Sequence, residues 1–356
     1  MKILDRHIRG ALLGMCLIVA LALTGISGFI TLVEELDDLG QGQYSLDQVA
    51  LVTLLSLPQL LYELSPLIGL LGAILGLGAL AAGGELVVMQ AAGISVLRIA
   101  WSAAKTGVVL GLVTLILGEF VVPAAKAQAE HIESRARFGE ERGGSGEVWL
   151  RKGDRYIRIG ALPEARRAEA VQTLTVNRND SRLVRIATMD SAEYRSGQWR
   201  AENLLVTELG YGRVRQQFSE EAEWVVDLSP EVLRLFVLKS DSLSLQGLVQ
   251  YIRYLKANGL DATAPNYALW RKLAAPLTVV VMILLAVPFV LGSLRDSGAG
   301  QRLFIGVMLG IGFYVLNEVA TSLGQVYGWP APLSSLSPTV AMGLLAGARL
   351  ALAGRR

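Results

Sequence analysis

Six apolar stretches, each long enough to cross a bilayer, are divided three and three by a single polar insert. They lie at about 11–33, 58–82, 98–122, 270–292, 303–324 and 333–353, and the insert runs from about 124 to 264. A helix needs about 20 apolar residues to span the hydrocarbon core. In lipid every backbone N–H and C=O must be satisfied within the protein, which leaves helices and closed barrels as spanning structures. Continuous apolar runs of this length are helices. The expected fold is therefore an α-helical membrane protein with six transmembrane helices and one domain inserted between the third and fourth. The division is 1–123, 124–264 and 265–356.

The orientation follows from Lys and Arg in the short loops. Lys2, Arg6 and Arg9 precede the first span, and Arg98 begins the third. Arg295 and Arg302 flank the loop after the fourth span, and Arg349, Arg355 and Arg356 close the chain. The opposite loops, 34–57 and 325–332, hold no Lys or Arg, and the first carries Glu34, Glu35, Asp37, Asp38 and Asp47. Both termini are expected in the cytoplasm and the insert outside, which in a bacterium is the periplasm. The first apolar run is longer than a signal-peptide core, and no convincing small-x-small cleavage site precedes Glu34-Glu35, so it reads as a span.

The insert changes period. Val148/Leu150, Ile157/Ile159, Leu174/Val176 and Leu204/Val206 alternate at the strand period of two. Turn signals separate them at Lys152-Gly153-Asp154, Asn177-Arg178-Asn179-Asp180 and Ser196-Gly197-Gln198. Several short strands at this spacing suggest a sandwich, jelly roll or barrel. The strands are flanked by helix on both sides. Residues 124–142 are helical in composition and extend the third span. Ser244 caps a helix whose stripe is Leu245, Leu248, Ile252 and Leu255 and whose end is Asn258-Gly259.

Composition excludes several chemistries. A net charge of +2 gives no reason to expect a nucleic-acid partner. There is no G-x-x-x-x-G-K-[ST] and no C-x-x-C, and His7 and His131 are far apart. ATP binding by the P-loop route, a His-based metal site and a catalytic triad all lack their residues. The lone Cys16 allows no intrachain disulfide. These absences leave membrane-embedded carboxylate hydrolysis formally open, but no residue pattern supports it.

Gly83-Gly84 and Gly93 bracket a short segment, Glu85 to Ala92, in a gap between spans too small for a domain. It reads as a helix of about two turns. Glu85 leads it, and Leu86, Val87, Met89 and Gln90 follow. An apolar anchor with a polar rim is the pattern of a binding hot spot. Docking of a soluble partner is the expected use.

Ionisable groups within spans invite a functional reading. Glu63, Glu119 and Glu318 lie toward the outer ends, where headgroups or water can reach them. Arg271 and Lys272 begin the fourth span on the side the positive-inside rule disfavours. They can snorkel to lipid phosphates or bind the phosphates of an amphipathic substrate. Pro58 and Pro66 in the second span, with Pro276 and Pro288 in the fourth, should kink their helices or free carbonyls. Gly-x-x-x-Gly pairs at 10/14, 72/76, 107/111, 306/310 and 343/347 allow close helix approach. Most should serve packing within the chain, and those of the first and fifth spans a subunit contact.

The segment Gly84-Glu85-Leu86-Val87-Val88-Met89-Gln90-Ala91-Ala92-Gly93 resembles the coupling helix of the LptF/LptG permeases, ABC-transporter subunits that export lipopolysaccharide. Leu4-Asp5-Arg6, Gly40-Gln41-Gly42-x-Tyr44 and Gly118-Glu119 with Pro123 add to the resemblance, as do Tyr251-x-x-Tyr254-Leu255-Lys256 and Phe313-Tyr314-Val315-Leu316. The resemblance implies that the insert is a periplasmic β-jellyroll. It implies a non-catalytic transport subunit with no cofactor of its own, an LptF-like permease partner and an LptB-like ATPase dimer that binds ATP and Mg. Glu85, Leu86, Val87, Met89 and Gln90 would dock on that ATPase. The first and fifth spans would line the entry gate, with the membrane helix of LptC beside it. Lipopolysaccharide would pass from the outer leaflet of the inner membrane through the jellyroll to LptC and LptA.

One departure concerns the cations that lipid A phosphates need. Some family members carry two lysines where this chain has Asp37-Asp38. Lys126, Arg135, Arg137, Arg271 and Lys272 are the basic alternatives expected to bind substrate. Two other readings fit parts of the chain. One is a membrane scaffold or sensor with a ligand-binding outer domain. The other is a permease of the lipoprotein-releasing type, whose usual four spans the count of six argues against.

Overall fold

The computed structural model describes the chain except residues 1, 139–147, 165, 178–179, 181, 196, 211–212, 225, 227–229, 231–232, 234–242, 293–297 and 354–356. Arg295, Arg355 and Arg356 of the charge argument thus lie outside the described residues. The elements are α1 (Lys2–Asp37), α2 (Leu46–Ala82), α3 (Glu85–Ala91), α4 (Val96–Ile116), a π-helical turn (Leu117–Val121), α5 (Val122–Phe138), strands β1 to β6, α6 (Leu245–Ala257), α7 (Thr263–Leu291), α8 (Ala299–Tyr327) and α9 (Ala331–Ala353). Six of the helical stretches are long and apolar enough to cross a membrane, as expected. The chain divides into two compact units, one of residues 1–31, 56–123 and 266–356, the other of 32–55 and 124–265.

In the first unit α2 and α7 are central. Their most apolar windows are 61% and 56% buried, against 17% for both α1 and α8. Ile8 and Leu12 of α1, Leu70, Ile74 and Leu77 of α2, Ile99 of α4 and Ile283 to Val290 of α7 share one core. Helices in lipid gain little by hiding apolar surface from one another, so close packing has to come from small residues. A Cβ on Gly72 would lie 2.7 Å from the Cα of Cys16, and one on Gly111 2.7 Å from the Pro276 carbonyl oxygen. Gly107 meets Val280 in the same way, and Gly76 meets Leu12. Gly10 and Gly14 of α1 have no atom within 4 Å of that position.

The prolines do not end their helices. Pro66 cannot donate to the Tyr62 carbonyl one turn back, and the Ser65 hydroxyl donates to it instead, at 2.7 Å. The π turn carries the Gly118-Glu119 pair and is followed by Pro123. A wider turn relieves the clash between a proline ring and the carbonyl four residues earlier, here that of Glu119. Gly118 is needed on steric grounds, because a Cβ there would stand 2.6 Å from the Tyr62 ring.

In the second unit the strands are β1 (Val148–Lys152), β2 (Arg155–Glu164), β3 (Arg167–Val176), β4 (Leu183–Arg195), β5 (Gln198–Gly210) and β6 (Arg213–Trp224). They form one antiparallel sheet in sequence order, so each strand pairs with the next. Most are longer than the short strands that the alternating pairs suggest, because polar positions continue the ladders of β4, β5 and β6 past the apolar alternation. Val148 opposes Ile159 and Leu150 opposes Ile157, and all four face a core with Val171, Met189, Trp199 and Trp224. Trp199 stands between Tyr194 and Trp224, its ring centroid 5.3 and 5.7 Å from theirs.

The Gly153 and Gly197 hairpins have φ of 64° and 89°, which favour glycine. The helical extension expected to 142 is described to Phe138, and 139–142 lie outside the described residues. Ser244 caps α6 by accepting from the Gly247 N–H, and Leu248, Ile252 and Leu255 are buried. Tyr254 fixes α6 to β1, its hydroxyl donating to the Arg151 carbonyl at 3.1 Å. Burial pushes this phenol up to about 12, so it stays a neutral donor. Tyr44, from the Gly40-Gln41-Gly42-x-Tyr44 loop, packs on Ala129 and Ala136 of α5 and donates to Glu35 at 2.7 Å.

Candidate functional site

The segment between α2 and α4 folds as its glycines dictate. Gly84 has φ 75° and Gly93 φ 83°, both in the left-handed region that side chains avoid. Gly93 closes α3 as a Schellman motif. The Ile94 N–H reaches the Met89 carbonyl at 3.0 Å, and the Gly93 N–H reaches that of Gln90 at 3.0 Å. Met89 and Ile94, the positions where this motif places apolar residues, both pack on the helical core. Ser95 then caps α4 by accepting from the Arg98 N–H at 3.3 Å. Seven residues of helix are held at both ends by backbone geometry.

The faces of α3 differ from the sequence expectation. Leu86 is 2% exposed and belongs to the chain's own core, with Met89 half-buried beside it three residues on. Leu86 cannot anchor a partner while it occupies that core. The outward apolar groups are Val87 and Val88, 42% and 68% exposed, and Glu85 stands at their edge with its side chain half-exposed. Val88 is the residue that the sequence reading passed over. Gln90 is half-buried.

Charged groups gather behind this helix. The His7 Nε2 of α1 donates to Glu85 Oε2 at 2.6 Å. Two residues earlier, Asp5 accepts from Arg98 Nη2 at 2.9 and 3.0 Å and from Lys105 Nζ at 2.9 Å. Lys105 stands in the third apolar stretch, and an ionisable residue there was the signal that could have revealed this cluster. Arg302 also departs from expectation. It is buried in α8 and donates to the Gly78 carbonyl of α2, through space that a Cβ on Gly78 would contest at 2.9 Å.

The five cations expected at the outer side lie on two helices, α5 and α7. Lys126 and Arg135 lie on α5, half-buried and exposed. Arg137 falls on the same helix, and its side chain lies outside the described residues. Arg271 and Lys272 are neighbours on α7 and point about 100° apart around the helix. Arg271 is half-buried and Lys272 is 5% exposed, and both are engaged by groups of their own chain. Asp38 is occupied in its own turn, accepting from Gln41 Nε2 at 2.7 Å. Glu63 accepts from Gln59 one turn back, and Glu318 is exposed. Among the described residues no three His, Cys, Asp or Glu side chains are grouped to hold a metal ion.

The sequence family model for the lipopolysaccharide export system permease LptF/LptG matches residues 6–352. The chain belongs to the LptF/LptG family. Its match to the lipopolysaccharide export system permease protein LptG of Escherichia coli is 32% identical over 346 residues, 96% of each chain. The LptG protein of Haemophilus influenzae is 30% identical over 343 residues, 95% of each chain. The six membrane-length helices, but for the first few residues of α1 and the last of α9, and the inserted sheet fall within the matched region. Six membrane-length helices in an LptF/LptG chain make it a multi-pass permease subunit of the inner membrane.

Proposed function

We propose that this chain is the permease subunit of an ABC transporter that extracts lipopolysaccharide from the outer leaflet of the inner membrane. The observation that carries the coupling part of this reading is α3. A two-turn helix clamped by left-handed glycines presents Val87, Val88 and the Glu85 carboxylate outward while Leu86 roots it in the bundle. A separate LptB-like ATPase dimer, holding ATP and Mg, takes that surface. An LptF-like permease completes the heterodimer. The termini and α3 face the cytoplasm, and the β-domain faces the periplasm and hands the lipid to LptC and LptA.

The energetics follow from the walls. Moving an acyl chain from lipid into an equally apolar cavity changes little buried apolar area. Hydrolysis is then needed chiefly to collapse the cavity and expel the lipid. The phosphates need cations at the rim, and Lys126, Arg135 and Arg271 are less buried than Lys272. Arg271→Ala is expected to weaken lipopolysaccharide capture by about fivefold to tenfold, the worth of a charge-assisted hydrogen bond at a partly exposed site. Photo-crosslinking of lipopolysaccharide to the reconstituted complex measures this. Lys272→Ala should instead register as a lower melting temperature, because its ammonium is enclosed by its own chain.

Affinity purification from the native inner membrane in mild detergent tests the reading as a whole. Mass spectrometry should find an ATPase, a permease paralogue at fixed ratio and bound lipopolysaccharide. A lone chain carrying only bulk phospholipid across several detergents would replace this reading with a scaffold or sensor.

A further inference from the structure

Both flanks of the α3 loop are held by the first two turns of α1. His7 reaches Glu85 at the start of α3, and Asp5 reaches Arg98 in the first turn of α4. Lys105, two turns further along the same face of α4, closes on the same carboxylate. The next residues of α1 continue the grip in apolar terms, since Ile8 and Leu12 are fully buried in the core that also takes Leu86. At Ala11 and Leu12 α1 lies close against Gly76 of α2, and at Cys16 it leaves no room for a Cβ on Gly72. The N-terminal turns of α1 therefore touch α3 and α4 at once, and Cys16 holds the helix against α2 two turns further on.

The contacts differ in strength. His7 and Glu85 are half-exposed, with side-chain exposures of 52% and 46%, and an ion pair in such a place contributes little to stability. Its effect is to hold the Oε2 of Glu85. Asp5 is 13% exposed and accepts from two cations, the Arg98 Nη2 shared between both of its oxygens and the Lys105 Nζ on one. Bonds of this charge-assisted, partly buried kind are about twice as strong as neutral ones. Asp5 is the mechanical joint, and His7 sets the pose of the acid.

We propose that Asp5 and His7 are positioning residues that fix the coupling helix to the first span, so that a push on α3 moves α1. The inference rests on the reading that α3 docks on an ATPase. The loop has covalent connections to α2 and α4 only, so without this joint its displacement would reach α1 through apolar contact alone.

The test uses the whole transporter, co-purified with its permease partner and ATPase and reconstituted into vesicles containing lipopolysaccharide. The readout is lipopolysaccharide released per ATP hydrolysed, a ratio that a change in protein amount does not move. Asp5→Asn should lower the ratio by about tenfold and His7→Ala by about threefold, within the usual range of coupling between sites. Asp5→Glu keeps the charge and should restore most of the loss. An unchanged ratio in Asp5→Asn overturns the proposal, as does a loss that Asp5→Glu fails to repair. If Asp5→Asn does not assemble, His7→Ala decides alone, because its site carries little folding energy, and an unchanged ratio there overturns the proposal. Glu85→Ala run in parallel separates the two ideas. If it leaves the ratio unchanged, the docking reading has failed. If it uncouples while Asp5→Asn and His7→Ala stay coupled, only the joint has failed.

Discussion

Glu85→Ala is expected to leave ATP hydrolysis running while lipopolysaccharide release falls by tenfold or more. A hydrogen bond to a charged group contributes about 1.5–3 kcal/mol net, which is about tenfold to a hundredfold in an equilibrium. The alanine variant removes the bond to His7 and the carboxylate proposed to meet the ATPase. It leaves the helix intact, because both ends are set by backbone geometry and Leu86 still fills the core. The ATPase keeps its own catalytic groups, so its turnover need not fall. Parallel assays of phosphate release and lipopolysaccharide transfer in proteoliposomes measure the two quantities. Normal export in the variant removes Glu85 from the coupling surface.

Neighbouring positions give the control. Leu86→Ala empties part of a packed core, a change that costs about 2–5 kcal/mol. Its expected phenotype is less folded protein rather than uncoupled protein. Val88→Asp does neither of these things to the fold, since Val88 is 68% exposed. It places a charge in an apolar contact and should reduce recovery of the ATPase on purification. A helix of seven residues thus separates three phenotypes by which way each side chain points.

That separation was not legible in the sequence. Leu86, Val87, Val88 and Met89 are four consecutive apolar residues, and a run without alternation does not say which face is inward. The decision belongs to the core that Leu86 joins, which takes Ile8, Ile99 and Val287 from three other helices. The glycines that bound the helix were legible, because a left-handed φ is a local demand. The six spans were legible for the same reason, each being a property of about 20 adjacent residues. His7 and Lys105 were not found because their partners lie 78 and 100 residues away in the chain. The insert's turns at Gly153 and Gly197 were readable, whereas its strand lengths were set by ladders that run through polar positions. Lys272 and Arg302 mislead a charge count, because each is buried in the chain rather than held in water.

Leucine at Gly72 is expected to prevent stable folding, and leucine at Gly14 is expected to be silent in the isolated chain. The two glycines face opposite situations. A Cβ on Gly72 would stand 2.7 Å from the Cys16 Cα and 2.9 Å from its backbone nitrogen. Backbone cannot rotate away as a side chain can, so α1 and α2 must separate. Overpacking of this kind costs about 1–3 kcal/mol and sometimes more. The loss spreads here, because Ile8 and Leu12 of α1 belong to the same core as Leu77 of α2. Gly111→Leu should behave likewise against the Pro276 carbonyl. Gly14 has nothing within 4 Å, and an exposed apolar side chain there meets only lipid. Thermal unfolding followed by size-exclusion chromatography in detergent should show a large drop for Gly72→Leu and a shift within about 0.5 kcal/mol for Gly14→Leu. The second variant then becomes a probe of assembly. Small residues at 10 and 14 on an otherwise apolar helix permit another helix to approach closely. If a second permease subunit uses that face, Gly14→Leu will lower its recovery at fixed ratio while the chain itself stays folded. Full recovery places the subunit contact on another face of the bundle.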